Sequence, residues 1–443
     1  MAVGRRELML GTLGMGLALA AGFRPVREQR NIAQPFSTYG VVPRAGDQTA
    51  ALQDAADQAA ESGTPFFLPP GNYMSGKLEL KSGTQIQGVP GKSVLCYTGG
   101  GALISIENAS DIRLTGLTLE GEAKPIDSGA LLIAESVKGL TLSDCRVIGS
   151  AEHGIVLHEV SGRITDCEIG LIGESGLFSQ DAAGLEIAHN HVHDCGANGI
   201  LVCRSEAGED ATMVISNRIE RITAKSGGSG ENGNAINVLR AGSVLINGNR
   251  IADCSSSAIR ASSASNCQMI GNSCMRLGDV ALFTELSFEG AVIANNIVDK
   301  AAGGISVTNL TESGKLAVQG NLIRNIFFRK DTDSRGIGIA VQIDSVVSGN
   351  VIETSSGYGI MIGCGGDLRD VSITDNLIRD AYIGIGVSTD SFARTALITR
   401  NTISGAKDGA IRAVNGSTPV GSDLAMAGAA AYANLAIYSN AAC

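Results

Sequence analysis

Arg260 and Glu285 are the side chains whose type and spacing point most directly at chemistry. They stand at staggered places in two successive copies of one short phrase, Ile259-Arg260-Ala261-Ser262 and Leu282-Phe283-Thr284-Glu285. If the copies stack in register, the pair lies on a diagonal of roughly 7–8 Å, which an arginine side chain can span. A guanidinium fixed there could clamp a sugar carboxylate and stabilise an enolate-like transition state, with Glu285 orienting it. The plainer reading of the same pair is an ion pair on a solvated face, because paired charges mark function only on average. Lys225 and Arg240 are the candidate base and charge partner at the rim, although a loop lysine is usually just solvated. Arg260, Glu285 and Lys225 thus form the candidate catalytic set, and Asn237, Arg240, His158, Gln180 and Phe283 the candidate substrate contacts.

The residues missing around this pair narrow the reaction. Hydrolysis of a glycosidic bond uses two carboxyl groups across it, and the central copies supply one glutamate and no aspartate. Only convergence of Asp181, Glu231 and Asp279 on Glu285 would restore that option. Elimination or epimerisation at a uronic acid needs charge neutralisation and a base, which arginine, lysine and asparagine can provide. A glycan-binding or envelope scaffold protein without turnover is the third reading. An aromatic content of 4% with no Trp speaks against aromatic sugar platforms.

His189, His191 and His193 invite a metal, but other copies carry Arg and Glu at those places, as in Asn217-Arg218-Ile219-Glu220. They read as a solvated face, not a metal site. No cofactor is required by this chemistry; calcium is the ion that Asp181, Asp279 and Glu231 could share between turns. A formal charge of −10 and a chain-wide acidic balance argue against a nucleic-acid partner. The expected partner is a polysaccharide or oligosaccharide, met by a monomer.

The elements that position these residues come from a repeat. The phrase Gly-Ile-x-Val, a polar turn, an x-Ile-x-x run, an Asn or Asp, and a second x-Ile-x-x run recurs with markers at Asp144, Asp166, Asn190, Asn217, Asn249, Asn272, Asn296, Asn321, Asn350, Asn376 and Asn401. Successive markers lie 22 to 32 residues apart, a period that means a solenoid. Apolar residues alternate within short runs bounded by Gly, Asn, Asp and Ser, so the units are strands. The connections are too short for crossover helices. The fold class expected is therefore all-β, a right-handed parallel β-helix of three sheets and roughly 11–13 coils, with an N-terminal capping helix. Asn and Asp at the corner markers are expected to adopt a left-handed backbone and to satisfy corner amides of the neighbouring coil. In the Gly-Ile-x-Val strand, Ile and Val point inward, leaving Asn237, Leu239, Arg260, Ser262, Phe283 and Glu285 on the outer face.

The ends differ from the repeat. Arg5-Arg6 before the apolar run Leu8 to Ala21, with Ala18-Leu19-Ala20 as a small-x-small site, marks residues 1–20 as an export signal of twin-arginine type. A general secretory signal or an uncleaved anchor fits the same run. The ten cysteines show no paired spacing and recur at equivalent places, which points to a buried stack of free thiols with Cys443 exposed. Residues 21–45 read as linker and entry strand. Over 46–75, Asp47 caps a helix from Gln48 to Ala60 stopped at Ser62-Gly63, followed by a Phe66-Phe67-Leu68 strand and a Pro69 to Tyr73 turn. The solenoid then spans 76–416, and 417–443 closes it with an Ala-rich plug and a last partial coil at Leu435 to Asn440.

Asp47-x-Thr49-x-x-Leu52-Gln53-x-Ala55 with Phe67-Leu68 and Pro69-Pro70-Gly71-Asn72-Tyr73 resembles the N-terminal cap of the pectate-lyase-like parallel β-helix superfamily. Together with the arginine pair and the repeats, the whole chain is similar to a family of bacterial twin-arginine-translocated repeat proteins. The first resemblance implies carbohydrate chemistry, most readily a lyase or epimerase of an acidic polysaccharide in the periplasm or outside the cell. The second implies no particular activity.

Overall fold

Three short strands per coil stack in parallel on their counterparts one coil later, for about 13 turns. The computed structural model describes residues 37–443 apart from 45, 226, 228–229, 310–314, 331–335 and 417. The export signal at 1–20 and most of the linker at 21–45 fall outside the described residues. Strands that precede the marker, such as Met213–Ile215 and Cys267–Ile270, form a flank sheet of 15 strands. Strands that follow it, such as Arg218–Ile222 and Arg250–Cys254, form a back sheet. The Gly-Ile-x-Val strands, among them Ile236–Gly242, Ile259–Ser262 and Val280–Leu286, form a front sheet. Back and front sheets merge where Val351–Ile362 and Leu377–Ser388 run through the corner without a break.

Period-two alternation decides which atoms enter the core. Ile236 and Val238, Ile259 and Ala261, and Leu282 are each 0% exposed, while Asn237, Arg260 and Phe283 project from the opposite face of the same strands. Each buried Ile, Leu or Val contributes about 2 kcal/mol on leaving water. Because like residues repeat at each coil, the core extends the length of the solenoid as one continuous cluster.

The asparagine markers are buried, but their backbone differs from the expectation. Positive φ belongs to the residue before the marker: His189, Ser216, Asn295, Asp375 and Arg400 among non-glycines, and Gly248, Gly271, Gly320 and Gly349. The asparagine then turns inward and bonds along the axis. Asn272 donates from its backbone N–H at 2.9 Å and from Nδ2 at 3.0 Å to Asn296 Oδ1, and its Nδ2 also donates to the Ile246 carbonyl at 3.0 Å. The same pattern runs through Asn401 to Asn440. At the other end the register shifts by one. Asp144 and Asp166 have φ of 52° and 56°, so they match His189, and Cys145 and Cys167 occupy the asparagine place. Cys167 Sγ donates to the Leu142 carbonyl at 3.7 Å, where Asn190 Nδ2 donates to Ile164 at 2.9 Å.

The other thiols do not form one column. Cys195 and Cys254 are separated by Ile222 in register, and all ten are free, with Cys364 as well as Cys443 exposed. The capping helix spans Thr49–Ser62 and packs Leu52, Ala55, Ala56 and Ala59 on the open end of the core. The N-cap is Gln48, not Asp47 as expected; Asp47 stands one residue earlier, where its carboxylate accepts from the Thr49 N–H at 2.9 Å. Gly63, at φ 65°, ends the helix. Gly71–Ser75 is a strand paired to Ser93–Tyr97, not a turn, so the turn is confined to Pro69-Pro70. At the far end Leu424–Ala427 makes one helical turn and Leu435–Tyr438 adds a final strand to the flank sheet.

Candidate functional site

Front-sheet register fixes the outer face residue by residue. Arg260 pairs with Asn237 on one side and Phe283 on the other, and Ser262 pairs with Glu285. Arg260 and Glu285 therefore meet on the diagonal expected from the repeat. Arg260 Nε donates to Glu285 Oε1 at 2.6 Å, Nη2 lies 2.6 Å from the same oxygen, and Ser262 Oγ donates to it at 2.7 Å. The guanidinium carbon is 5.5 Å from the centre of the Phe283 ring, within cation–π range. The two side chains are only 16% and 12% exposed. Charge pairing, ring stacking and the hydroxyl leave the guanidinium one orientation.

The turn between Ile222 and Ile236 comes down on this pair. A Cβ at Gly230 would collide with the Arg260 guanidinium, and Gly230 has φ of 107°, so glycine is required there twice over. Asn198 Nδ2 at 3.2 Å and Asn237 Nδ2 at 3.0 Å donate to the Glu231 carbonyl, Asn234 Nδ2 donates to Gly230 at 3.0 Å, and Ser256 Oγ donates to Asn232 at 2.7 Å. Asn237 thus uses its amide to hold the turn. Lys225 is exposed on that turn, whereas Arg240 lies toward the far end of its strand and donates to the Ser205 carbonyl at 2.9 Å. These two rim candidates occupy opposite edges of the front sheet and do not act together.

His158 and Gln180 sit apart from the central pair. From Val156 the register runs through Phe178, Leu201 and Asn237 to Arg260, four steps of roughly 4.8 Å or about 19 Å. His158 faces Phe178 edge-on at 5.8 Å, with His153 on another side at 5.7 Å. Burial lowers the His153 pKa. Gln180 donates to Asp181 at 3.2 Å. Phe178 is an aromatic surface that a low count of aromatics had hidden, since one ring suffices when a column presents it.

Beyond Phe283 the front sheet opens into a cleft of about 400 Å³ lined by Asp279, Phe283, Ser306, Gln342, Met361 and Cys364, among others. Met361 follows Ala340 in the outer column and could have been found by extending the column three coils beyond Phe283. Nothing local in Gly363-Cys364-Gly365 announces a cleft residue. Asp181 and Asp279 do not join Glu285, whereas Glu231 stands in the turn beside Gly230, over the Arg260 guanidinium. Asp279 and Glu285 are six residues apart along one strand region, about 20 Å at an extended rise, against roughly 5–9.5 Å for paired glycosidase carboxyls. Asp181 lies four strands from Glu285 and accepts from the Ser205 N–H at 3.0 Å.

The histidines belong to the back sheet. His191 and His193 rings are 4.4 Å apart, His193 Nδ1 is 2.7 Å from Asp194 and Nε2 is 3.4 Å from Glu168, and His191 Nε2 is 3.2 Å from Glu220. The Arg221 guanidinium, helped by His193, holds the Asp194 carboxyl down to about 2. Glu220 also falls to about 2: burial opposes this, but hydrogen bonds from Arg218, Arg221 and His191 outweigh it. These residues form a surface ion-pair network. Among the described residues no group of three or more His, Cys, Asp or Glu is placed to hold a metal ion. No helix among them is long and apolar enough to cross a membrane.

In comparisons with known proteins, the sequence has no match among curated proteins. Among solved structures, the chain is similar to the pre-mature gene product 12 of bacteriophage phi29, at 15% identity over 86% of this chain and 57% of that one, TM-score 0.50. It is similar to the enzymatically active domain of tailspike protein 2 of bacteriophage CBA120, at 16% identity over 63% and 46%, TM-score 0.51. The A-module of mannuronan C-5 epimerase AlgE6 from Azotobacter vinelandii aligns at 14% identity over 91% and 98%, TM-score 0.49. The chain spans about half the length of the two phage proteins, 57% and 46%. At these identities the likeness is one of fold. A family model for the right-handed β-helix region matches residues 83–219, 206–337 and 316–424. Those matches overlap into one run that takes in nearly the whole stack of coils, and the chain belongs to the right-handed β-helix family.

Proposed function

We propose that this protein acts on an acidic polysaccharide, by elimination or C5 epimerisation at a uronic acid, on the front sheet at Arg260. The observation that carries this reading is the preorganised guanidinium: Nε and Nη2 engaged by Glu285, the plane stacked on Phe283, the flank shielded by Gly230, and the whole set beside the cleft that Phe283 borders. Nη1 is the guanidinium nitrogen that faces Gly230, so a sugar carboxylate would meet the guanidinium at the edge of that turn. A charge held in place in a partly dry site needs no reorganisation when negative charge develops.

The reaction balances with these groups. A base removes the proton next to the uronate carboxylate, the electron pair moves into the carboxylate, and Arg260 neutralises the enolate. In elimination the pair returns to form a C4–C5 double bond as the glycosidic oxygen at C4 departs with a proton. In epimerisation a proton returns to C5 from the other face. Lys225 is the proposed base and Glu285 the residue that orients Arg260. Because Asp181 and Asp279 stand too far from Glu285, and Glu285 is held by Arg260 and Ser262, hydrolysis is the weaker reading. The export signal at 1–20 supports a periplasmic or secreted location, tested by fusing it to a reporter that is active only after twin-arginine export.

The test is incubation of the purified protein with a panel of acidic glycans, with and without calcium. Ultraviolet absorbance of the unsaturated product reads elimination, and deuterium uptake at C5 reads epimerisation. Either signal, lost in Arg260→Ala, supports the site. If no glycan gives either signal, the enzyme reading fails for that panel; saturable binding without turnover would then favour a glycan-binding scaffold.

A further inference from the structure

The outer face of the flank sheet loses its charge half-way along the solenoid. Its early strands carry Arg113, Arg163 and Glu186 outward. From Met213–Ile215 to Leu435–Tyr438, nine strands in register present two outward columns with no charged residue in either. The back sheet over the same coils shows Arg218, Glu220, Arg250, Asp299, Arg324 and Glu353. Val346, Met213 and Tyr438 on the uncharged face are 49%, 36% and 56% exposed. A shallow cleft of about 480 Å³ runs over Gln268, Val292, Ala317 and Val346.

The order of side chains along this face is self-complementary. The middle strand of the nine carries Ala317. A two-fold axis along that strand, in the plane of the face, reverses the solenoid and sets Val292 against Val346, Gln268 against Ser372, and Leu245 against Leu397. Met213 then meets Ala436, and Ala317 meets itself. In the second column Asn247 opposes Thr399, Ile215 opposes Tyr438, and Gln319 opposes its own copy. Two pairs of that column are mixed, Ile270 against Thr374 and Ala294 against Ser348; every other pair sets apolar groups against apolar ones or hydrogen-bonding groups against each other, the matching that an isologous interface favours.

We propose that this face is the interface of a homodimer in which two solenoids pack antiparallel, sheet on sheet. Nine strands at roughly 4.8 Å and a four-residue width give a face of about 43 by 13 Å. The flat footprint is about 550 Å² per copy and about 1,100 Å² for the pair, at the lower end of specific interfaces. Two chains that each carry a formal charge of −10 repel one another, so an uncharged face is where a second copy can approach without desolvating a charge. Charges return only at the rim, where Lys315 is exposed and Asp344 is tied to Arg369 at 2.6 Å.

Sedimentation equilibrium of the full chain at tens of micromolar should return twice the chain mass of 45.4 kDa. Val346→Lys should convert it to a monomer that keeps the wild-type circular-dichroism spectrum, whereas Arg379→Glu on the back sheet should leave the dimer intact. Val292→Glu combined with Val346→Lys sets opposite charges against each other across the dyad and should restore the dimer. In a Cys364→Ser, Cys443→Ser background, Ala317→Cys should be joined to its own copy across the axis by a short bis-maleimide crosslinker, since stacked sheets lie about 10 Å apart. A monomeric wild-type chain over that concentration range, or a dimer that survives Val346→Lys, overturns the proposal.

Discussion

Replacing Asn296 by alanine removes one rung of the buried ladder and should weaken the fold far more than its size suggests. Asn296 is 1% exposed. Its Oδ1 accepts from the Asn272 backbone N–H at 2.9 Å and from Asn272 Nδ2 at 3.0 Å, and its Nδ2 donates to the Met269 carbonyl at 2.8 Å and to Asn321 Oδ1 at 3.0 Å. Asn321 Oδ1 keeps the Asn296 backbone N–H at 2.9 Å, so it is not stranded. Three buried groups do lose a partner: one backbone N–H, one side-chain N–H and one carbonyl. At about 1–3 kcal/mol for each buried group left unsatisfied, the loss sums to about 3–9 kcal/mol, a large share of the roughly 5–15 kcal/mol that holds a typical fold. Each coil contacts only its neighbours, so the loss should be local. Urea unfolding gives the free energy, and hydrogen exchange followed by mass spectrometry gives its place. Exchange should rise in peptides spanning Asn272 and Asn296 and stay unchanged near Leu132. A loss below about 1 kcal/mol, with normal protection at Asn272, would refute the view that the asparagines hold the corner by hydrogen bonding.

Other substitutions test other parts of the molecule. Cys167→Asn should extend the ladder by one rung, replacing a 3.7 Å thiol contact to the Leu142 carbonyl by an amide; a gain of up to about 1 kcal/mol in urea unfolding is expected, and a loss of that size would show the early coils to be shaped for sulfur. Asp210 is 2% exposed with Oδ2 lacking a partner among the described residues, and burial raises its pKa. A raised folded pKa means that the stabilising form is the protonated one, present in acid and lost as pH rises through the folded value. Asp210→Asn should therefore stabilise the protein at pH 7 by about 1–2 kcal/mol, with the difference closing toward the ordinary carboxylate range; melting curves at neutral and acid pH decide it.

Much of the site was legible because the fold is periodic. Once the strands are known to stack, Arg260, Phe283 and Glu285 follow from counting, and the diagonal contact at 2.6 Å is where counting put it. What counting missed is set by non-repeating segments. No spacing rule shows that the turn around Gly230 descends on Arg260, or that Asn237 gives its amide to that turn. Whether Asn or its predecessor takes the left-handed conformation was likewise unreadable, because both places accept asparagine: Asn295 at φ 57° and Asn296 beneath it are adjacent in the chain.

The sequence by itself determined the coil, since period-two alternation and a polar corner every two dozen residues admit only stacked parallel strands, and stacking turns each repeat position into a column. The tertiary structure decided how isolated side chains are used: Cys145 and Cys167 as rungs in place of asparagine, Asn237 as a tether, Phe178 as a surface, and the cleft beyond Phe283. Periodic order propagates through contacts between equivalent residues and is therefore written locally. A turn folding back across the sheet depends on atoms of several coils at once, and that geometry exists only when the coils are assembled.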